Sequence, residues 1–284
     1  MRAGTAGRAV LITGCSSGIG HAVALGLRAR GYRVFATARR AESVSDLAQE
    51  GLEALRLDVT DSTSIGEAVA EALDRSDNRL YGLFNNAGYG QPGAVEDLSR
   101  DALRAQFETN LFGAHELICR VLPAMRACGE GRIIQNSSLL GLVALPYRGA
   151  YNASKYALEG LTDTLRLELA GTGIGVSLIE PGPIRSRFRD NAHAAYRRHI
   201  RPDASRHREA YRRHEDRLTA PGPVAPFTLG PEAVLRAVIR ALESPHPKAR
   251  YPVTVPTRFF ALLRRLLPDR ALDAVLLAVS RREA

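Results

Sequence analysis

Short apolar runs alternate with longer helical segments through most of this 284-residue chain, and the first run passes directly into a cluster of glycines. Residues 8–20 read Arg-Ala-Val-Leu-Ile-Thr-Gly-Cys-Ser-Ser-Gly-Ile-Gly, an apolar strand ending in Gly14, Gly18 and Gly20 before a helical pattern begins. Strands are expected near Ala9 to Thr13, Arg33 to Thr37, Ala54 to Leu57, Gly82 to Asn85, Arg132 to Asn136 and Val176 to Ile179. Helices are expected from about Gly18 to Arg30, Ser62 to Arg75, Arg100 to Ala127 and Tyr151 to Leu169. In the last of these, Leu158, Leu161, Leu165 and Leu169 recur at helical spacing on one face. Such alternation builds an α/β chain: a doubly wound parallel sheet with helices on both sides and ligands at the carboxyl ends of its strands.

The glycine turn at one such end suits a dinucleotide. Glycines let the backbone approach a pyrophosphate, and the N–H groups at the start of the next helix favour the anion. Its T-G-x-x-x-G-x-G spacing departs from the G-x-G-x-x-G fingerprint, and a plain tight turn would look similar. A second feature is Tyr151-Asn-Ala-Ser-Lys155, because Lys155 is one of only two lysines in a chain with 37 arginines. Positions i and i+4 of a helix share a face, so phenol and ammonium point into the same space. A phenol must fall from about 10 to near 7 to exchange protons at neutrality, roughly 4 kcal/mol. One nearby cation supplies energy of that order, which makes Tyr151 a candidate general acid/base. Taken alone, the pair could equally be packed along a helix.

With these two motifs in place, the chain resembles the short-chain dehydrogenase/reductase family over roughly residues 8 to 190. Asn85-Asn86-Ala87-Gly88 matches its segment after the fourth strand, Asn110 its active-site Asn, and Pro181-Gly182 the loop beside the nicotinamide. Ser138 matches its catalytic Ser, thirteen residues before Tyr151, whereas Ser137 lies twelve before. The resemblance implies a Rossmann-type sheet of about seven strands in a single domain with a C-terminal helical extension. It further implies catalysis by Asn110, Ser138, Tyr151 and Lys155. A cofactor would be held by Gly14, Ser16, Ser17, Gly18, Ile19, Gly20, Asn86, Ala87, Gly88, Tyr151, Lys155, Pro181, Gly182 and Ile184, with Asp58 and Val59 at its adenine. Asp58 could also be a simple helix cap. In the implied chemistry Tyr151 protonates a carbonyl oxygen that Ser138 hydrogen-bonds, while Lys155 lowers the phenol pKa and binds the nicotinamide ribose. Asn110 would hold a water linking Lys155 to solvent.

Cofactor choice is argued at the end of the second strand, Val34-Phe35-Ala36-Thr37-Ala38-Arg39-Arg40. An NAD enzyme places a carboxylate there, whereas a 2′-phosphate is attracted by arginine. Ala38 stands where the acid would be and Arg39 follows, which favours NADP(H). Ser17 occupies a position where some NADP members of the family carry a basic residue, so NAD stays open. The chain is most similar to NADP-dependent aldehyde reductases of this family, and also to its retinol and 17-beta-hydroxysteroid dehydrogenases. The expected reaction is therefore reduction of an apolar aldehyde or ketone. Oxidation of a retinol or hydroxysteroid is the alternative within the class, and a non-catalytic redox sensor the alternative outside it.

Composition sets the remaining bounds. No run of eighteen apolar residues and no signal sequence are present, so a cytoplasmic, non-spanning protein is expected. Cys15, Cys119 and Cys128 are widely spaced, and His193, His199, His207 and His214 lack a coherent ligand spacing, so no metal is assigned. Residues 1–256 form the expected catalytic domain, including a substrate lid over about 185–226. Between Arg185 and Arg217 there are eleven arginines against five acids, a surplus of six within the net +9. A solvated helical lid, an anion-binding or acyl-carrier-facing surface and a nucleic-acid patch compete for that charge, and no DNA-binding motif supports the last. Leu139 to Tyr147 forms an expected apolar pocket wall. Residues 257–284 form an amphipathic, arginine-bearing extension that could lie on an anionic membrane surface or pack on its own domain or a partner subunit. A homo-oligomer is a further open expectation.

Overall fold

The computed structural model describes residues 7–223 and 225–283. The ends of the two expected segments, residues 1–6 and 284, and residue 224 of the expected lid lie outside the described residues. Seven parallel strands form one sheet in the order β3-β2-β1-β4-β5-β6-β7. They are β1 (Ala9–Ile12), β2 (Arg33–Ala38), β3 (Glu53–Arg56), β4 (Leu80–Asn85), β5 (Gly131–Asn136), β6 (Ile174–Glu180) and β7 (Arg250–Pro252). Every residue of β1 and β4 is buried, as a sheet covered on both faces requires. Val10 and Ile12 face one core with α1 (Gly18–Ala29) and α9 (Glu232–Glu243), while Ala9 and Leu11 face another with α3 (Ser62–Arg75) and α5 (Gly113–Cys128). After β3 the chain crosses to β4 on the far side of β1, so strand order reverses between β1 and β4. A crevice at such a switch point is where open α/β sheets hold ligands.

The first six strands match the expected ones within a few residues, and β7 is the seventh. The expected helix Arg100 to Ala127 is instead α4 (Arg100–Phe107), a π-helical turn Glu108–Phe112 and α5. In α6 (Gly149–Glu168), Leu158 is buried and Leu165 packs on the core, but Leu161 is 37% exposed, so the leucine stripe is only partly covered. Two smaller cores lie outside the sheet. Tyr196 and Ile200 from α7 (Phe188–His199) and its end, with Tyr211 of α8 (Arg208–Thr219), pack on Ala94. Phe260 of α10 (Val255–Leu266) and Leu272 and Leu276 of α11 (Asp269–Glu283) pack on Val143. The extension therefore lies on its own chain, and α10 begins two residues before the expected division at 257. No helix among the described residues is long and apolar enough to cross a membrane.

Candidate active site

The segments that follow β1, β4, β5 and β6 converge beyond the carboxyl edge of the sheet. Gly14 (φ +71°) and Gly18 (φ +61°) adopt left-handed backbone, and a Cβ on Gly14 would lie 2.9 Å from Ala87 Cα. A side chain at Gly20 would meet Gly14 O at 2.3 Å. These positions need glycine for the turn itself and for its seat against the next strand's loop. Ser17 precedes α1 without its side chain capping the helix, so its hydroxyl does not take the first-turn N–H groups.

A chain of hydrogen bonds runs from this turn to α6. Thr13 Oγ1 accepts from the N–H groups of Asn86 and Ala87 at 2.9 Å each. Asn86 Nδ2 donates to Thr13 O (2.9 Å) and Gly14 O (3.2 Å), and its Oδ1 accepts from Asn136 Nδ2 at 2.9 Å. Asn136 O then accepts from Lys155 Nζ at 2.7 Å. The glycine turn and the buried lysine are thus held in one polar network, in which only the Asn136 side-chain oxygen lacks a partner among the named groups.

Lys155 is 5% exposed, and burial lowers its pKa to about 8 against the opposing charge of Glu159 one turn on. The Tyr151 phenol is pushed up to about 12, first by burial, while a hydrogen bond with Ser138 and the Arg148 charge pull it down. Lys155 Nζ sits 5.7 Å from the Tyr151 ring centroid but is turned to Asn136 O. In the protein alone, then, burial rather than the expected pull of Lys155 sets the phenol. Ser138 Oγ accepts from Leu140 N at 3.1 Å and reaches Tyr151, whereas Ser137 is buried on the side of Glu159, whose pKa it lowers. The two serines point to different neighbours because successive residues of extended backbone face opposite ways.

Asn110 lies in the π turn between α4 and α5, a feature frequent at functional sites. Its Oδ1 accepts from Tyr89 N (3.1 Å), and its Nδ2 donates to Tyr89 O (3.0 Å) and Ser154 Oγ (3.1 Å). Both ends of its amide are thus engaged in holding the turn. Pro181 O accepts from Leu139 N at 2.8 Å, and a Cβ on Gly182 would lie 2.2 Å from Thr254 Oγ1. Phe188 meets the Tyr151 ring edge-on, centroids 5.4 Å apart.

These groups open on a cavity of about 680 Å³. Of the expected residues, Gly14, Ser16, Ser17, Gly18, Ile19, Asn86, Ala87, Gly88, Ser138, Tyr151, Lys155, Pro181, Gly182 and Ile184 line it. Gly20, Arg39, Asp58, Val59 and Asn110 do not. Arg39 is exposed just beyond β2. Asp58 holds a local turn by accepting from Thr60 N (3.0 Å) and Thr60 Oγ1 (2.8 Å), while Asp61 is the cap of α3. Val59 packs on the core beside α5. The glycine cradle, the network behind it and the apolar turn fit a dinucleotide, whose phosphates would lie on the first turn of α1.

Residues 8–197 match the short chain dehydrogenase family, and the chain belongs to that family. It is 46% identical over 269 residues to the uncharacterized oxidoreductase YbbO of Escherichia coli K12, covering 95% of this chain and 94% of that one. It is 34% identical to human 17-beta-hydroxysteroid dehydrogenase type 1, covering 92% and 81%. Two solved family structures superpose along the chain. One, from Burkholderia phymatum in complex with NAD, has a TM-score of 0.76 at 26% identity over 92% and 93%. The other, from Burkholderia cenocepacia in complex with NADP, has 0.74 at 25% over 96% and 98%.

Sequence reasoning passed over Thr13, Asn136 and Arg148 as site residues, and took His214 only as a metal-ligand candidate and Arg217 only as lid charge. Thr13 and Asn136 act through contacts far apart in sequence. Arg148 stands three residues before Tyr151, a helical spacing that would have found it.

Proposed function

We propose that the protein is an NADP-dependent oxidoreductase that reduces an apolar aldehyde or ketone to its alcohol, with Tyr151 as general acid. The observation that carries this reading is the meeting of Ser138, Tyr151 and Lys155 in one cavity that continues into the glycine turn. When bound there, the reduced cofactor supplies hydride to the carbonyl carbon. Tyr151 gives its proton to the carbonyl oxygen, and Ser138 hydrogen-bonds that oxygen as charge develops on it. A phenol held high by burial stays protonated across neutral pH, the form that donates. The ammonium of Lys155 holds the nicotinamide ribose hydroxyls, and a water on Asn110 relays the replacement proton. An arginine would serve poorly at that lysine, being larger, planar and never discharged.

NADP is favoured because β2 ends in buried Ala38 rather than a carboxylate, with exposed Arg39 next to it. Leu139, Leu140 and Leu145 in the cavity wall support an apolar substrate body, and α7 and α8 act as its lid. The same site lowers one barrier for both directions, so cofactor supply sets the direction. The test is cofactor consumption against aldehydes, ketones and quinones with NADPH and NADH in parallel. Turnover faster with NADPH and with apolar carbonyls is the expected result. No consumption with any compound would sink the enzyme reading in favour of a dinucleotide sensor.

A further inference from the structure

The lid helices α7 and α8 are fastened to the segment that leaves β4. Asp97 closes a short 3-10 turn, Val95–Asp97, just past Gln91 and Pro92 of the cavity wall. Its Oδ2 accepts from two lid hydroxyls, Tyr211 Oη of α8 at 2.5 Å and Ser205 Oγ of the α7–α8 connection at 2.6 Å. Tyr211 Oη in turn accepts from Ala94 N, and Ser205 Oγ accepts from His207 N, each at 2.9 Å. His207 Nε2 lies 2.6 Å from Glu96 Oε1, a second attachment beside the first. Apolar packing backs these contacts. Tyr211 is 1% exposed and packs with Tyr196, Ile200 and Ala94. A Cβ on Gly93 would lie 2.8 Å from Ile200 Cδ1, so the end of α7 is seated directly on this backbone. Both lid helices therefore share one anchorage, and beyond it they supply cavity wall: Phe188 and Ala192 from α7, His214 and Leu218 from α8. Residues three and seven positions after Tyr211 lie on its side of the helix, so a bond that fixes this phenol also fixes His214 and Leu218.

We infer that Asp97 is a positioning residue for the substrate side of the site: by tying Tyr211 and Ser205 to the segment after β4 it sets where the lid stands, and so which apolar carbonyl compounds the cavity accepts. This rests on the carbonyl-reduction reading above. Asp97 does not itself line the cavity, so it acts through the lid rather than on substrate or cofactor. A carboxylate suits the place because one ionised oxygen takes both hydroxyls, and O–H bonds to a charged acceptor are shorter and stronger than neutral ones. The bond from Ser205, then that from Tyr211, hold its carboxyl below the usual carboxylate range, which keeps it ionised at neutral pH. An amide at this position offers a neutral oxygen and weaker bonds to the same two donors.

Asp97→Asn, Tyr211→Phe and the double variant, each as the full chain saturated with NADPH, test this in two ways. Limited digestion with trypsin reads the lid directly, since eleven arginines lie between Arg185 and Arg217. Each single variant is expected to be cut there roughly tenfold faster than the parent, with cleavage elsewhere unchanged and thermal melts reporting a folded protein. Kinetics with straight-chain aldehydes of increasing length read the cavity. KM should rise roughly tenfold for the longer chains, with a smaller change in kcat and a flatter preference for length. Because the two groups share one bond, the double variant should be little worse than either single one. Ser205→Ala, which leaves the Tyr211 bond in place, should have a smaller effect. Lid cleavage that stays at the parent rate in Asp97→Asn, fully additive effects in the double variant, or cleavage that rises along the whole chain would each overturn the inference. If no aldehyde is turned over yet lid cleavage depends on Asp97, the reaction assignment fails and the anchoring role stands. If aldehydes are reduced with a KM that ignores Asp97, the reaction stands and the positioning role fails.

Discussion

At the residue scale, the proposed chemistry depends on buried Lys155 and part-buried Tyr151, whose pKa values are moved in opposite directions by the same cause. Burial disfavours charge, so the Tyr151 phenol rises to about 12 and the Lys155 ammonium falls to about 8. Tyr151→Phe removes the proton donor but little of the surface around it. It should keep NADPH binding, read by fluorescence titration, and lose roughly 10²- to 10⁴-fold in turnover. Retained turnover would falsify the assignment of the acid. Lys155 predicts the alkaline limb. It is charged below about pH 8 and neutral above, so carbonyl reduction should hold through neutrality and decline as pH rises past that point, chiefly in kcat/KM for NADPH. A profile flat to about pH 10, where an unperturbed lysine discharges, would show that this ammonium is not what binds the ribose. Lys155→Arg should abolish the limb while lowering activity throughout.

At the element scale, the C-terminal extension is joined to the loop that follows β6. Thr254 and Thr257 are fully buried at the start of α10, their hydroxyls 3.0 Å apart, and Gly182 packs against both. Gly182→Ala would drive a Cβ into Thr254, so it should cost about 1–3 kcal/mol in stability and weaken NADPH binding together. Thr254→Ala in the same chain should recover most of both, as seen by thermal melts and cofactor titration. An unchanged Gly182→Ala protein would mean that the contact is slack. The other elements that sequence patterns passed over have similar reasons. Three-residue β7 exists because Arg250 pairs with Glu159 (3.0 Å), Asp163 (2.7 Å) and Glu180 (3.1 Å), binding it to α6 and β6. The segment AESVSDLAQ of α2 (Ala41–Gln49) buries only Ser43 and Leu47, too few to register as an apolar face.

At the scale of the whole molecule, α10 turns one face inward and leaves the other bare. Val255, Phe259, Leu262 and Leu266 are each more than half exposed at helical spacing, beside exposed Arg258 and Arg265. That face suits the surface of an anionic bilayer, where apolar side chains insert and guanidiniums meet headgroups. The expected outcome is co-sedimentation with phosphatidylserine vesicles, weakened by salt and by the pair Leu262→Ser and Leu266→Ser, and absent with neutral vesicles. Binding that ignores vesicle charge would exclude this face as the contact. The net charge of +9 favours the encounter but does not by itself choose the face.

Period and glycine placement in the sequence determined the parallel sheet, the turn after β1 and the helix that carries Tyr151 and Lys155, because each follows from local backbone preference repeated along the chain. The tertiary structure alone decided that Lys155 bonds Asn136 O, that Ser138 rather than Ser137 reaches Tyr151, and that Thr13 and Asn136 tie the glycine turn to α6. Those outcomes depend on residues from different strands and helices brought into one small, water-poor space, and burial there sets both pKa values and partners. No spacing within a single segment encodes that.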